Sequence, residues 1–206
     1  MPTSNWSSYC FWVAGALLSL IPSLGARTNL RDELSLRTPS QGSDDRLLRL
    51  YNTHTAERIE IVYRHGDAYV PDALAKLDSF LRDHRTGEVR HFDPRLYDIL
   101  GDLTASIGRP GGEIDIICGY RTSSTNESLR AHTTGVAKNS LHIQAQAIDL
   151  RMPGVDTRKL RKAALALARG GVGYYPHSDF IHLDVGRVRQ WCFDCPVSLV
   201  AGQPES

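Results

Sequence analysis

The stretch SLHIQAQAID, Ser140 to Asp149, sets a histidine and an aspartate seven residues apart among small, apolar and amide side chains. Imidazole nitrogen and carboxylate oxygen are donors for a divalent metal, so the question is whether these two side chains meet. On a helix, residues seven apart share a face; along a plain strand they face opposite sides and share a ligand only if the chain turns between them. The spacing by itself does not establish a metal site. A second stretch, HSDFIHLDVG, supplies what the first lacks. His182 and Asp184 are two apart on an expected strand and point the same way, with Asp179 three and His177 five residues before His182. Two neutral imidazoles and one carboxylate, with a fourth position left to water, make the ligand set of a catalytic zinc. Such a zinc lowers the pKa of its water to about 7 and polarises a carbonyl, provided a nearby carboxylate takes and returns the proton. Asp179 and Asp184 are the candidates for that task, unless one of them instead holds the free nitrogen of His182.

A third stretch, CGYRTSSTNESLR, places Arg121 and Asn126 just beyond an expected buried strand, where side chains project into a cleft. An arginine fork suits a carboxylate or a developing oxyanion. A surface arginine in a Ser/Thr-rich loop is the plainer alternative.

These residues need elements to position them. Ile59, Ile61 and Tyr63 alternate with Arg58, Glu60 and Val62, the period of a strand. Pro71 opens a helix with Leu74, Leu77 and Leu81 on one side, and Asp93-Pro94 opens another carrying Leu96, Leu100, Leu103 and Ile107. GEIDIICGYR reads as a buried strand running into a loop, and Asn126 to His132 as a short helix. DTRKLRKAALALARGG reads as a helix starting at Asp156 and stopping at Gly170, and GVGYY and DFIHLDVG as a closing pair of strands. The expected class is α+β, with helices packed on a small, mostly antiparallel sheet.

The 206 residues suit one domain with a sizeable core. With 24 Lys+Arg against 23 Asp+Glu, no global charge steers the chain to nucleic acid or to an anionic membrane. CFWVAGALLSLIPSL, Cys10 to Leu24, is apolar, uncharged and followed by small residues, and is shorter than the ~20 residues of a spanning helix. It reads as an export signal over residues 1–26, with an uncleaved anchor as the alternative; no Lys or Arg precedes it. Residues 27–44 read as a polar leader, 45–195 as the folded domain and 196–206 as a tail. An exported chain meets an oxidising compartment. Cys192 and Cys195 have the spacing of a redox pair or half a zinc knuckle, and the simplest reading is a short-range disulfide pinning the C-terminal strand; the pairing with Cys118 stays open.

The run from GYRTSSTNESLR through GVAKNSLHIQAQAIDLRMPGV to GGVGYYPHSDFIHLDVGRVRQW resembles the zinc peptidases of family M15, in the bacterial branch of exported murein-hydrolysing proteins. The likeness extends upstream through LYNTHTAERIEIVYR and LDSFLRDHRTGE, covering about Asp45 to Trp191. It implies a single domain of the D,D-peptidase/hedgehog-like type that binds one Zn2+ through His142, Asp149 and His182. Arg121 would bind the substrate carboxylate or steady the oxyanion, with His177 as its helper and Asn126 and Ser140 also facing substrate. Asp179 would be the general base, with Asp184 in reserve. The family pattern Ser-x-His-x-x-Gly-x-Ala-x-Asp departs here in one place: the glycine is Ala145. The reading adopted is that this glycine serves close packing and that a methyl is accepted.

The implied activity is hydrolysis of peptide bonds in peptidoglycan stem peptides or cross-links, with zinc-bound water attacking the carbonyl of the scissile bond. A D,D- or L,D-carboxypeptidase and a non-catalytic peptidoglycan-binding homologue are the rivals, and a thiol-redox protein built on Cys192 and Cys195 is a third. Peptidoglycan is the expected partner, with no nucleic acid and no membrane span after signal cleavage. The periplasm is the expected location, which leaves room for an adaptor lipoprotein.

Overall fold

The structure, a computed structural model, describes residues 44–193 and Cys195. The expected signal, nearly all of the leader and the tail lie outside the described residues. No helix among the described residues is long and apolar enough to cross a membrane.

One sheet organises the chain. Its eight strands are β1 (Asp45–Asn52), β2 (Arg58–His65), β3 (Ala68–Tyr69), β4 (Glu113–Cys118), β5 (Ala147–Arg151), β6 (Gly171–Tyr175), β7 (Phe180–Asp184) and β8 (Arg189–Cys192). They lie in the order β3-β2-β1-β4-β5-β7-β6-β8. Five of the seven pairings are antiparallel; β1–β4 and β6–β8 are parallel. The class is α+β and mostly antiparallel as expected, but the sheet is not small. Leu48 and Leu50 alternate with exposed Arg49 in β1, a short period-two signal that is easily missed in a run so rich in charge.

Four α-helices accompany the sheet: α1 (Pro71–Phe80), α2 (Arg95–Ser106), α3 (Ser123–His132) and α4 (Thr157–Leu167). The apolar stripes read from sequence are buried: Leu77 and Leu81 of the α1 region, and Leu96, Leu100 and Leu103 of α2, all lack exposure. They share one core with Leu48, Leu50, Ile114, Ile116, Ile148, Leu150, Ile181 and Leu183, the residues that alternate onto one face of the sheet. Helix α3 begins three residues before the expected start, because the Thr122 hydroxyl caps the Thr125 N–H. Helix α4 starts at the expected Asp156 cap, but ends at left-handed Ala168, two residues before Gly170.

The period of two then leaves Asp149 and His182 on the opposite face. That face is crossed by residues 119–146, the connection between β4 and β5. Its start is clamped by buried Asp83, which accepts hydrogen bonds from the Thr122 N–H at 2.9 Å, the Thr122 hydroxyl at 3.0 Å and the Arg85 N–H at 2.9 Å. Its end is a single 3-10 turn, Leu141–Gln144, whose chain reverses into β5 at Ala145 with φ 53° and ψ 42°. The close-packing reading of the family glycine is therefore corrected. The turn between His142 and Asp149 uses the left-handed conformation, which costs an alanine about 1 kcal/mol.

Two outcomes are expected. Ala145→Gly relieves that backbone cost but loses a fully buried methyl worth about 0.8 kcal/mol, so urea unfolding should change by less than about 1 kcal/mol. Ala145→Val, β-branched at a positive φ, should lose more than about 2 kcal/mol. Burial pushes the Asp83 carboxyl up, but hydrogen bonds from Thr125, Thr122 and Arg85 outweigh it and bring its pKa to about 2. A depressed carboxylate pKa stabilises the fold above its ordinary value and loses that contribution as pH falls through the folded value. Acid titration of stability should show about 2 kcal/mol disappearing between about pH 4 and pH 2, a decline that Asp83→Asn lacks.

Candidate metal centre and cleft

Strand register builds the floor of the site. Asp149 of β5 pairs directly with His182 of β7, and His182 in turn with Gly173 of β6, which pairs with Trp191 of β8. Direct neighbours point to the same side, so these residues form one row across the sheet. Gly173 keeps the row compact: a Cβ there would lie 2.6 Å from the Trp191 indole, whose ring centroid is 5.1 Å from that of His182.

His142 closes over this row from the 3-10 turn. Its Nε2 lies 3.2 Å from Asp149 Oδ1 and 3.1 Å from His182 Nδ1, and His182 Nδ1 lies 2.8 Å from the same Asp149 oxygen. The three expected ligands are thus brought together, and all three are buried. The remaining ring nitrogens are occupied on the outside. His142 Nδ1 is 2.8 Å from the Gly119 carbonyl, which accepts its proton, and His182 Nε2 is 3.1 Å from Asp184 Oδ2. These partners leave one lone pair on each imidazole aimed at the centre of the cluster. Burial disfavours a charged His142, but the neighbouring Asp149 carboxylate and Cys118 sulfur outweigh it and raise the pKa to about 10, so a metal ion would have to displace the Nε2 proton to use that lone pair. Asp149 is held well below the ordinary carboxylate range against its own burial, chiefly by His142. The donor chemistry is that of a group that could hold a metal ion.

The other expected site residues divide. Arg121 lines the cleft; its Nη1 donates to Asn126 Oδ1 at 3.1 Å, and its buried Nε makes no hydrogen bond among the described residues. Asn126 is itself buried and donates from Nδ2 to the Ala137 carbonyl, so it positions Arg121 and the following loop and does not face the cleft. Ser140 lines the cleft and accepts the His142 N–H, fixing the turn. Asp184 is fully buried; besides His182 it accepts from the Gly171 and Gly186 N–H groups and from Arg189, which together hold it deprotonated. It orients His182 and is not placed to take a proton from the cleft.

Asp179 is not brought to the cluster. It follows the one-turn 3-10 segment Pro176–Ser178 at φ 52°, its carboxylate accepts from the Thr157 hydroxyl at 3.0 Å, and Arg151 lies at 4.0 Å. The left-handed turn directs the side chain toward the start of α4, outside the cleft. His177, exposed on that same segment, is likewise not among the residues that line the cleft. Both expected roles came from the family resemblance, and the turn that ends at left-handed Asp179 holds these two side chains outside the cleft.

The cleft above the cluster has a volume of about 460 Å³. Beside His142, Asp149, His182 and Arg121, it is walled by Tyr175, Phe180, Trp191 and Phe193. Trp191 Nε1 donates to the Tyr175 hydroxyl at 3.2 Å, and Tyr175 stacks on Phe180 at 4.5 Å between centroids. This aromatic wall was not read from the sequence; Tyr175, Phe180 and Trp191, in or beside the expected strand pair, carried the signal. Cys192 and Cys195 form the short-range disulfide at the end of β8, and Cys118 is free. Cys118 is also part of the cluster: its sulfur and donor atoms of His142 and Asp149 all lie within 4.8 Å of one another.

Comparison with known proteins agrees with this architecture. A family model described as "Peptidoglycan L,D-endopeptidase MepK" matches residues 40–191. A probable peptidoglycan L,D-endopeptidase MepK of Haemophilus influenzae is 44% identical over 146 residues, covering 71% of this chain and 78% of its own length. The peptidoglycan L,D-endopeptidase MepK of Escherichia coli K12 is 43% identical over 148 residues, covering 71% of this chain and 80% of its own. The two histidines and the aspartate seen to converge lie within the matched span, and the chain belongs to the MepK family of M15 peptidases.

Proposed function

We propose that this protein is an exported, zinc-dependent L,D-endopeptidase that cleaves peptide cross-links of peptidoglycan in the periplasm. The observation that carries the reading is the convergence of His142 Nε2, Asp149 Oδ1 and His182 Nδ1, 2.8–3.2 Å apart, below an open cleft. Ligands at the zinc–nitrogen distance of about 2.0–2.1 Å in a tetrahedron stand roughly 3.3 Å from one another, so this trio needs only a small expansion to admit the ion. The choice of an L,D bond follows the names of the relatives.

A bound zinc supplies Lewis acidity for a peptide carbonyl and acidifies water. The protein's own groups do the rest. Arg121, held by Asn126, offers its fork to a substrate carboxylate or to the oxygen that gains charge in the transition state. The aromatic wall of Tyr175, Phe180 and Trp191 lets the stem peptide lie along the cleft and keeps bulk water from one side. Asp184 fixes the His182 ring through Nε2, and the Gly119 carbonyl does the same for His142 through Nδ1.

Purified mature protein incubated with cross-linked murein should release monomers from dimeric muropeptides, and a chelator should abolish this until zinc is restored. Dimers left intact, with or without chelator, would sink the endopeptidase reading, and loss of terminal residues alone would mark a carboxypeptidase. Arg121→Lys, which keeps the charge but not the fork, should lower kcat/KM by about 10²-fold with zinc content unchanged.

A further inference from the structure

Regular antiparallel pairing of β4 with β5 would bring Ile117 opposite Asp149. After Asp115↔Arg151 and Ile116↔Leu150, the register shifts, and Cys118 is the residue that pairs with Asp149. One extra residue in an edge or barrel rim often re-aims a side chain beside an active site. Here it replaces an isoleucine with a thiol in the row that carries Asp149 and His182. The sulfur and donor atoms of His142 and Asp149 all lie within 4.8 Å of one another, and Arg121 Nη2 donates to the sulfur at 3.3 Å. Cys118 is not among the residues lining the cleft, whereas His142, Asp149, His182 and Arg121 are. The same sulfur donates to the Gly119 carbonyl at 3.6 Å, the carbonyl that also accepts from His142 Nδ1. Cysteine also remains available, since Cys192 and Cys195 are bonded to each other.

We propose that Cys118 is a fourth protein ligand of the metal centre, a thiolate that reaches the ion from the sheet side and leaves a fifth position, on the cleft side, for water or substrate. The inference rests on the zinc reading above and adds to it a ligand of different chemistry. On metal binding the thiol proton leaves to solvent as the sulfur–metal bond forms. A thiolate in the set favours zinc and cobalt over manganese and magnesium, which two imidazoles and a carboxylate alone would separate less sharply.

The test loads the full chain with cobalt(II) in place of zinc and reads its absorption. The expected result is one cobalt per chain with a near-ultraviolet sulfur-to-cobalt charge-transfer band, lost in Cys118→Ser while the visible d–d bands persist. The band should survive Cys10→Ser and the double change Cys192→Ser/Cys195→Ser. Competition titration should show zinc affinity falling at least about tenfold in Cys118→Ser, the lower end of what loss of even an outer partner costs. Cobalt bound one to one without the band, or a band that follows another cysteine, overturns the Cys118 ligand and leaves the zinc reading intact. A wild-type chain that takes up no cobalt or zinc overturns both. Zinc-edge X-ray absorption of the wild-type protein is independent of whether Cys118→Ser folds: a zinc–sulfur distance of about 2.3 Å is required, and a shell of nitrogen and oxygen alone overturns the proposal.

Discussion

Asp149 and His182 are direct antiparallel neighbours on β5 and β7, and the 2.8 Å approach of Oδ1 to Nδ1 keeps a carboxylate and an imidazole together below solvent. A buried carboxylate is costly unless cations or strong donors surround it. The surrounding structure meets that demand from every side. His142 is lowered onto Asp149 by a 3-10 turn, Arg121 stands at the edge of the cluster, and Asp184 fixes the far nitrogen of His182. The helices on the other face seal the sheet, so the row cannot relax by moving away from the charge.

The devices that bring these groups together are local and carry their own cost. Ala145 accepts a left-handed backbone where a glycine would do so freely, because the chain must reverse within three residues of His142 to enter β5 in register. Asp83, buried with three donors on its carboxylate, ties Thr122, the residue after Arg121, to the segment that follows α1. The β4 irregularity turns Cys118 toward the site. Left-handed Ala145 and the buried Asp149, His182 and Asp184 meet on the face where the ligands converge, while the helices pack apolar and aromatic side chains and carry their own buried carboxylates, Asp78 and Asp98.

Much of this was legible without coordinates, and the pattern of what was not is physical. The apolar stripes of α1, α2 and α4 and the alternation of β2, β6 and β7 are periodicities that burial enforces, so they can be read from residue type. β1 sets Leu48 and Leu50 among charged neighbours, β5 follows a turn that hides where its period begins, and β8 has only four residues. His142, Asp149 and His182 could be grouped because their chemistry is complementary and their motif matches a known pattern. Asp179 could not be placed that way. Three residues before His182 on a regular strand would be the opposite face, and the left-handed backbone of Asp179 itself sends its carboxylate to Thr157.

What the sequence determined by itself is therefore the inventory: which donors exist, which faces of which elements must be buried, and that His142 and Asp149 meet only if the chain turns or coils between them. The tertiary structure alone decided the pairings that are non-local in the chain. Register placed Cys118, Asp149, His182, Gly173 and Trp191 in one row, although they come from five separate strands. It turned Asp184 behind His182 and sent Asp179 to Thr157. Side-chain period is a property of neighbouring residues and survives in one dimension; register is a property of hydrogen-bonded strands, and a single bulge or left-handed residue resets it without leaving a mark on composition or spacing.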